Sequence, residues 1–251
     1  MTAAQQADEI SAFRAGLSPH ELQLLEQERS AASELLGLRQ GSPKILEAAR
    51  GALAHGEAVR QQHLRVLQPE RVIACHEGCH WCCHLKVSAT APEVLALADY
   101  LKRSAAPDVL ERAQRRAAEL AQDPRIFSAD EKAEAKIPCA LLTEAGACAA
   151  YEARPLACRG WNAVDPESCR LELDDDTVLG ERNEELAREC AAVGLGLVAA
   201  LADAALPTEI LELTSALHIA LSETNVLERW LAGQEPFAAA RAARTVKNIS
   251  R

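Results

Sequence analysis

The stretch CHEGCHWCCHLK, residues 75–86, holds four cysteines and three histidines in twelve positions. Cys75, Cys79, Cys82 and Cys83 follow the spacing C-x3-C-x2-C-C. On a helix, steps of ~100° per residue place all four sulfurs within an arc of roughly 100°. His76, His80 and His84 then form a neighbouring stripe, while Gly78 allows a loop wrapped around a metal instead. A second group opens with Pro138-Cys139, continues as CAAYEARPLACR from Cys148 to Arg159, and closes with Cys169. Pro138 and Pro155 each fix a backbone angle near a thiol, which suits a loop that must hold sulfur without regular structure. Three chemistries compete for such a set: a metal or iron–sulfur centre, thiol redox, and plain packing.

Nine cysteines in a chain with no secretory signal point to a reducing cytoplasm, where thiols serve metals or redox work rather than disulfides. C-x3-C-x2-C supplies three sulfurs for a cubane cluster, with a fourth from Cys139, Cys148 or Cys158. The alternative is one or two tetrahedral zinc sites, each of four cysteines or of three cysteines and a histidine. Adjacent cysteines suit one zinc awkwardly and could serve two neighbouring centres, which tilts the reading toward iron–sulfur. Eight converging thiolates carry a heavy negative load that a cation makes tolerable. Arg154, Arg159 and Arg170 are placed to donate to sulfur or to neutralise leftover charge. Tyr151 with Arg154 and Arg159 also forms a candidate contact for an anionic ligand, against a purely structural role.

The motif C-x3-C-x2-C-C, Pro-Cys, C-x2-Y-x2-R-P-x2-C-R resembles the CxxCxxCC cysteine-cluster family, YkgJ-like proteins with a zinc- or iron-chelating domain. The positions that carry the resemblance are Cys75, Cys79, Cys82, Cys83, Pro138, Cys139, Cys148, Tyr151, Arg154, Pro155, Cys158 and Arg159, with Thr90 and Glu93 at the helix start that follows. The first gap has three residues where the family's name has two. The resemblance spans residues 75 to about 170 and implies metal chelation through about eight cysteines. A flagellin lysine methylase family, with a related cluster thought to hold iron–sulfur, is similar too. The chain is short for such an enzyme and has no motif for a methyl donor.

Helices must position these residues. Hydrophobic residues make up 49% of the 251, aromatics only 3%, so Ala, Leu and Val build the core. Ser18-Pro19-His20-Glu21 reads as a capped helix start, as do Ser42-Pro43, with a helix to about Val66, and Thr90-Ala-Pro-Glu93. PDVLERAQRRAAELAQ is a further amphipathic helix. Residues 124–180, with Pro124, Pro138, Pro155 and Pro166, lose helical periodicity and read as an irregular segment. Helix resumes near Asn183. The expected fold is all-α: an N-terminal helical region (1–70) and a C-terminal one (181–251) pack together and frame a cysteine-cluster domain (71–180).

Trp81 and Trp161 read as a hydrophobic lid over the centre, and Cys190, with Leu186, Val193 and Leu197 at helical spacing, as a packing thiol. The three histidines of the stretch read as ligands, as donors to ligands or as a solvated stripe, and the acidic run Glu172–Asp176 as a solvated loop. A net charge of −10 argues against a nucleic-acid backbone as partner. The most apolar run, CAAVGLGLVAALADAAL, is broken by Asp203 and too short for a bilayer span. A radical-SAM enzyme shares the cysteine triplet but needs alternating strands and helices, which this sequence lacks. No serine–histidine–carboxylate set, phosphate loop or nucleotide fingerprint occurs, so nothing marks catalysis. The first reading is a cytoplasmic protein holding an iron–sulfur cluster, or else zinc. Metal storage or delivery and a metal-free thiol-redox protein are the alternatives.

Overall fold

The computed structural model describes residues 14–37, 41–65, 75, 78–175, 178 and 180–241. The class is all-α, as expected: among the described residues the only sheet joins two three-residue strands, β1 (Ser88–Thr90) and β2 (Ile210–Glu212), antiparallel with Ala89 opposite Leu211. No helix among them is long and apolar enough to cross a membrane.

Helix α1 (Pro19–Gly37) begins at the capping box read from the sequence. The Ser18 amide donates to Glu21 Oε2 at 2.6 Å, and the Glu21 amide donates to Ser18 Oγ at 3.2 Å. Helix α2 (Gly41–Arg65) follows; its expected end at Val66 lies outside the described residues. Thr90 and Glu93 cap α3 (Ala91–Ser104) in the same reciprocal way, and α4 (Pro107–Leu120) starts on its proline. Glu93 does more than cap. Its second oxygen accepts the Leu156 amide at 3.0 Å, which fixes the entry of a short helix in the cysteine segment.

That segment is less irregular than its sequence suggests. It contains α5 (Ala129–Glu134), α6 (Leu156–Gly160) and α7 (Pro166–Asp174). Helices of five to nine residues are too short to show a 3.6-residue period, and their signals are local. The Glu131 amide donates to Ser128 Oγ, and the Glu167 amide donates to Asp165 with Pro166 at the first helical position. The acidic run is correspondingly not a loop throughout. Glu172 and Asp174 lie on α7, paired with Arg182 and with Lys136 and Arg170; Asp176 lies outside the described residues.

Helices α8 (Glu184–Asp203), α9 (Leu213–Ser222) and α10 (Val226–Leu231) complete the chain. One buried cluster draws on Leu24, Leu53, Leu97, Leu141, Leu197 and Leu217. Helix α1 lies so close along α8 that a Cβ at Gly196 would stand 2.5 Å from the Leu25 carbonyl oxygen. At the end of this contact Arg188 Nε donates to Glu21 Oε1 at 2.6 Å and holds the Glu21 carboxyl at about 2, below its ordinary 4.5. A depressed folded-state value stabilises the fold above the ordinary one, and that contribution is lost as pH falls from about 4.5 toward 2. With Arg188 half exposed, we expect on the order of 1–2 kcal/mol from this pair. Unfolding free energies from urea titrations at pH 6 and pH 2.5 should differ less in E21Q than in the wild type by that amount.

Candidate metal centre

The first four cysteines arrive on a loop and one tight turn rather than on an α-helix. Gly78 has φ +89°, a left-handed conformation that glycine adopts without strain, and it ends the possibility of a continuous helix from Cys75. Gly146, at φ +77°, comes up against it: a Cβ there would stand 3.0 Å from the Gly78 carbonyl oxygen and 3.1 Å from the His80 ring. Cys82 and Cys83 follow on a 3₁₀ turn, Trp81–His84.

The second group meets the first through the main chain. The Cys139 amide donates to the Cys83 carbonyl at 2.7 Å, so Pro138-Cys139 is docked directly on the double cysteine. Cys148 returns on a tight turn that pairs it with Leu142, closed by the Ala147 amide donating to Thr143 Oγ1. Cys158 sits on α6, whose entry Glu93 fixes. The Cys75 sulfur accepts the Ala163 amide at 3.2 Å, which ties the start of the motif to the segment beyond α6.

Together these elements enclose a cavity of about 350 Å³. Seven of the sequence-predicted ligands line it: Cys75, Cys79, Cys82, Cys83, Cys139, Cys148 and Cys158. Cys169, on α7, faces a small adjoining hollow that it shares with Cys82, Trp81, Trp161 and Glu172. Cys190 is elsewhere, 1% exposed and directed at the Gly56 carbonyl, as a packing thiol should be. Among the described residues no three Cys, His, Asp or Glu side chains are already drawn in around one ion; the sulfurs are set apart along the cavity wall.

Residues 74–191 match the model of the family described as "CxxCxxCC: Putative zinc- or iron-chelating domain". This stretch, a little under half of the chain, is similar to the CxxCxxCC family. No curated protein and no solved structure matches the chain. Chelation of zinc or iron is the chemistry this family description carries, and the donor set of the CxxCxxCC domain fits it: soft sulfurs converge on one cavity.

Burial governs the thiols of the CxxCxxCC domain. It pushes Cys148 and Cys169 up to about 11, Cys158 well above the ordinary thiol range, and Cys75, Cys79 and Cys139 upward as well. Cys83 is raised, first because its thiol is hydrogen-bonded to Cys82, and Cys82 is lowered by the same bond. Burial of this kind disfavours the thiolate, and a bound cation reverses that preference.

The three arginines expected near sulfur are placed in three different ways. Arg154 lines the cavity with its guanidinium 3.9 Å from the centre of the Tyr151 ring and its Nη2 3.8 Å from Glu57. Its Nε and Nη2 are buried and make no hydrogen bond, so two donors stand ready beside the thiols. Arg159 is placed differently. It donates to Glu57 and to the Arg154 and Glu152 carbonyls, and it is not on the cavity wall. Arg170 pairs with Glu167 and Asp174 at the surface.

His80 and His84 are half-buried, not a solvated stripe; His80 leans on Trp81, and His84 Nδ1 lies 3.3 Å from the Trp81 carbonyl. The 3₁₀ turn folds them inward where an α-helix would have turned them out. His76 lies outside the described residues. Trp161 packs under the Arg182 guanidinium at 4.1 Å, and with Trp81 it walls the hollow at Cys169, as a lid would.

Two charged residues beside the centre have no signal in the sequence. Lys132, in the segment that reads as irregular, is 2% exposed and reaches Glu212, which is fully buried; its charge also bears on Cys139.

Proposed function

We propose that the chain is a metal-binding protein that holds an iron–sulfur cluster on the thiols of residues 71–180, with the flanking helical regions 1–70 and 181–251 as its frame. The observation that carries this reading is the single cavity of about 350 Å³ lined by seven cysteines. Zinc–sulfur bonds of about 2.3 Å gather four sulfurs to within ~3.8 Å of one another. Sulfurs from four separate stretches around a roomier cavity suit a polyatomic inorganic core better than one bare ion. The ligands on this reading are Cys75, Cys79, Cys82, Cys83, Cys139, Cys148, Cys158 and Cys169. Arg154 donates to core sulfur, and Tyr151 braces it. Bound there, a cluster supplies one-electron chemistry whose potential follows from burial and from hydrogen bonds to sulfur.

Purification under anaerobic conditions tests this. Iron and acid-labile sulfide in equal amounts, with a broad absorption near 400 nm that bleaches with dithionite, are the expected result. Stoichiometric zinc without sulfide assigns the same thiols to zinc, and neither metal in freshly isolated protein removes the reading.

A further inference from the structure

We propose, resting on the metal-binding reading above, that Glu57 and Arg60 of α2 join Arg154 and Arg159 in a counter-charge node that tunes the centre. Helix α2 lies outside the residues that match the family, so the flanking helices on this account belong to the centre's chemistry as well as to its frame.

The node is one carboxylate among three guanidinium groups. Glu57 Oε1 lies 3.1 Å from Arg60 Nη1, and Glu57 Oε2 lies 2.8 Å from Arg159 Nη1 and 3.8 Å from Arg154 Nη2. Among the described residues Glu57 is the only carboxylate within ion-pair distance of these arginines. The side chains of Arg60, Arg154 and Arg159 are 9%, 15% and 5% exposed, so two positive charges are left in excess where water reaches them poorly. Buried charge without a partner is costly, and such a node calls for negative charge close by.

The cavity is where that charge belongs. Arg154 and Asn162 line it, and Arg60 Nε donates to Asn162 Oδ1 at 3.3 Å, which puts Arg60 directly behind the wall. Lys86 on the wall adds charge of the same sign, while Lys132 is matched by Glu212. Four thiolates around a doubly charged core, zinc or iron–sulfur, carry two negative charges in excess, the complement of the node. The backbone brings the two together. Gly56 lets α2 approach so closely that a Cβ there would run into the Leu156 side chain of α6, and this sets Glu57 against Arg159 on the same short helix.

The test uses the full chain reconstituted anaerobically with iron and sulfide and titrated with dithionite, which gives each centre one electron. Reduction adds negative charge, so E57Q should favour it and R60Q should oppose it. For a unit charge ~10 Å from the centre at an effective dielectric of ~20, the reduction equilibrium constant should rise on the order of tenfold in E57Q and fall on the order of tenfold in R60Q, about 59 mV each way. A merely structural role moves both variants in one direction. Shifts of like sign, or a shift below about twofold in either variant, overturn the proposal. R60K keeps the charge and should stay within about threefold of the wild type; a shift as large as that of R60Q overturns the proposal too. Should circular dichroism show that E57Q does not fold, R60K against R60Q decides alone. If the chain takes zinc without sulfide, competition with a chelator reads the same signs, tighter binding in E57Q and weaker in R60Q. A wild type that takes up neither metal removes the underlying reading instead.

Discussion

Replacing Lys132 with methionine is expected to destabilise the protein by about 3–5 kcal/mol, the cost of leaving one member of a buried ion pair without its partner. For a chain of this size that corresponds to a fall in Tm of roughly 6–20 °C. Lys132 is 2% exposed and Glu212 fully buried, with Nζ 3.9 Å from Oε1. The other Glu212 oxygen accepts the Ser215 amide at 2.7 Å and so caps α9, which fixes the carboxylate in place. Burial pushes Glu212 up, and the Lys132 charge is the largest influence holding it down. Without the lysine, Oε1 loses that ion pair, and it makes no hydrogen bond of its own. The double variant K132M/E212Q should recover most of the loss, because it removes both charges from the interior and keeps a side-chain oxygen to accept the Ser215 amide. A single variant within about 1 kcal/mol of wild type would show that the pair is hydrated and that its burial is not what holds α5 against β2.

That pair also marks the boundary of what the sequence discloses. The helix starts at Ser18 and Thr90 were legible because a capping residue, a proline and an apolar period coincide there. The cysteines that line the cavity were legible as a set because the thiol is rare and its spacing is chemistry in itself. Lys132 and Glu212 were not, because a charged residue in a short helix or beside a strand looks the same whether it meets water or a buried partner. The geometry of the double cysteine was half legible. Gly78 signalled a loop, yet whether His80 and His84 turn outward or inward depends on a 3₁₀ turn that four residues cannot announce. Arg159 shows the opposite failure. Its place after Cys158 suggested a role at sulfur, while the fold sends its guanidinium to Glu57 and two main-chain carbonyls. Which of two arginines five residues apart faces a cavity is decided by the path of the backbone, and no pattern of residue types carries that path.

Stripping the metal is expected to lower the melting temperature by roughly 8–16 °C. A ligand present at 1,000 times its Kd adds about 4 kcal/mol to the folded state, and each kcal/mol moves Tm by roughly 2–4 °C at this length. The effect should be local before it is global. From residue 78 to residue 88 no side chain is fully buried, so apolar packing contributes little to holding the motif in place. What remains without metal is a handful of polar ties, chiefly the Cys139 amide on the Cys83 carbonyl and the Ala163 amide on the Cys75 sulfur. The frame is different in kind: α1 lies against α8 at backbone contact, and α3 is buried along most of its length. Hydrogen exchange should therefore accelerate at the Cys139 and Ala163 amides after chelation, while amides in α3 and α8 keep their protection up to the global transition. Uniform loss of protection throughout would mean that the frame folds only around the metal. Unchanged exchange and an unchanged melt would mean that the polar ties and surrounding helices suffice, and that the thiols hold metal for its chemistry rather than for the fold.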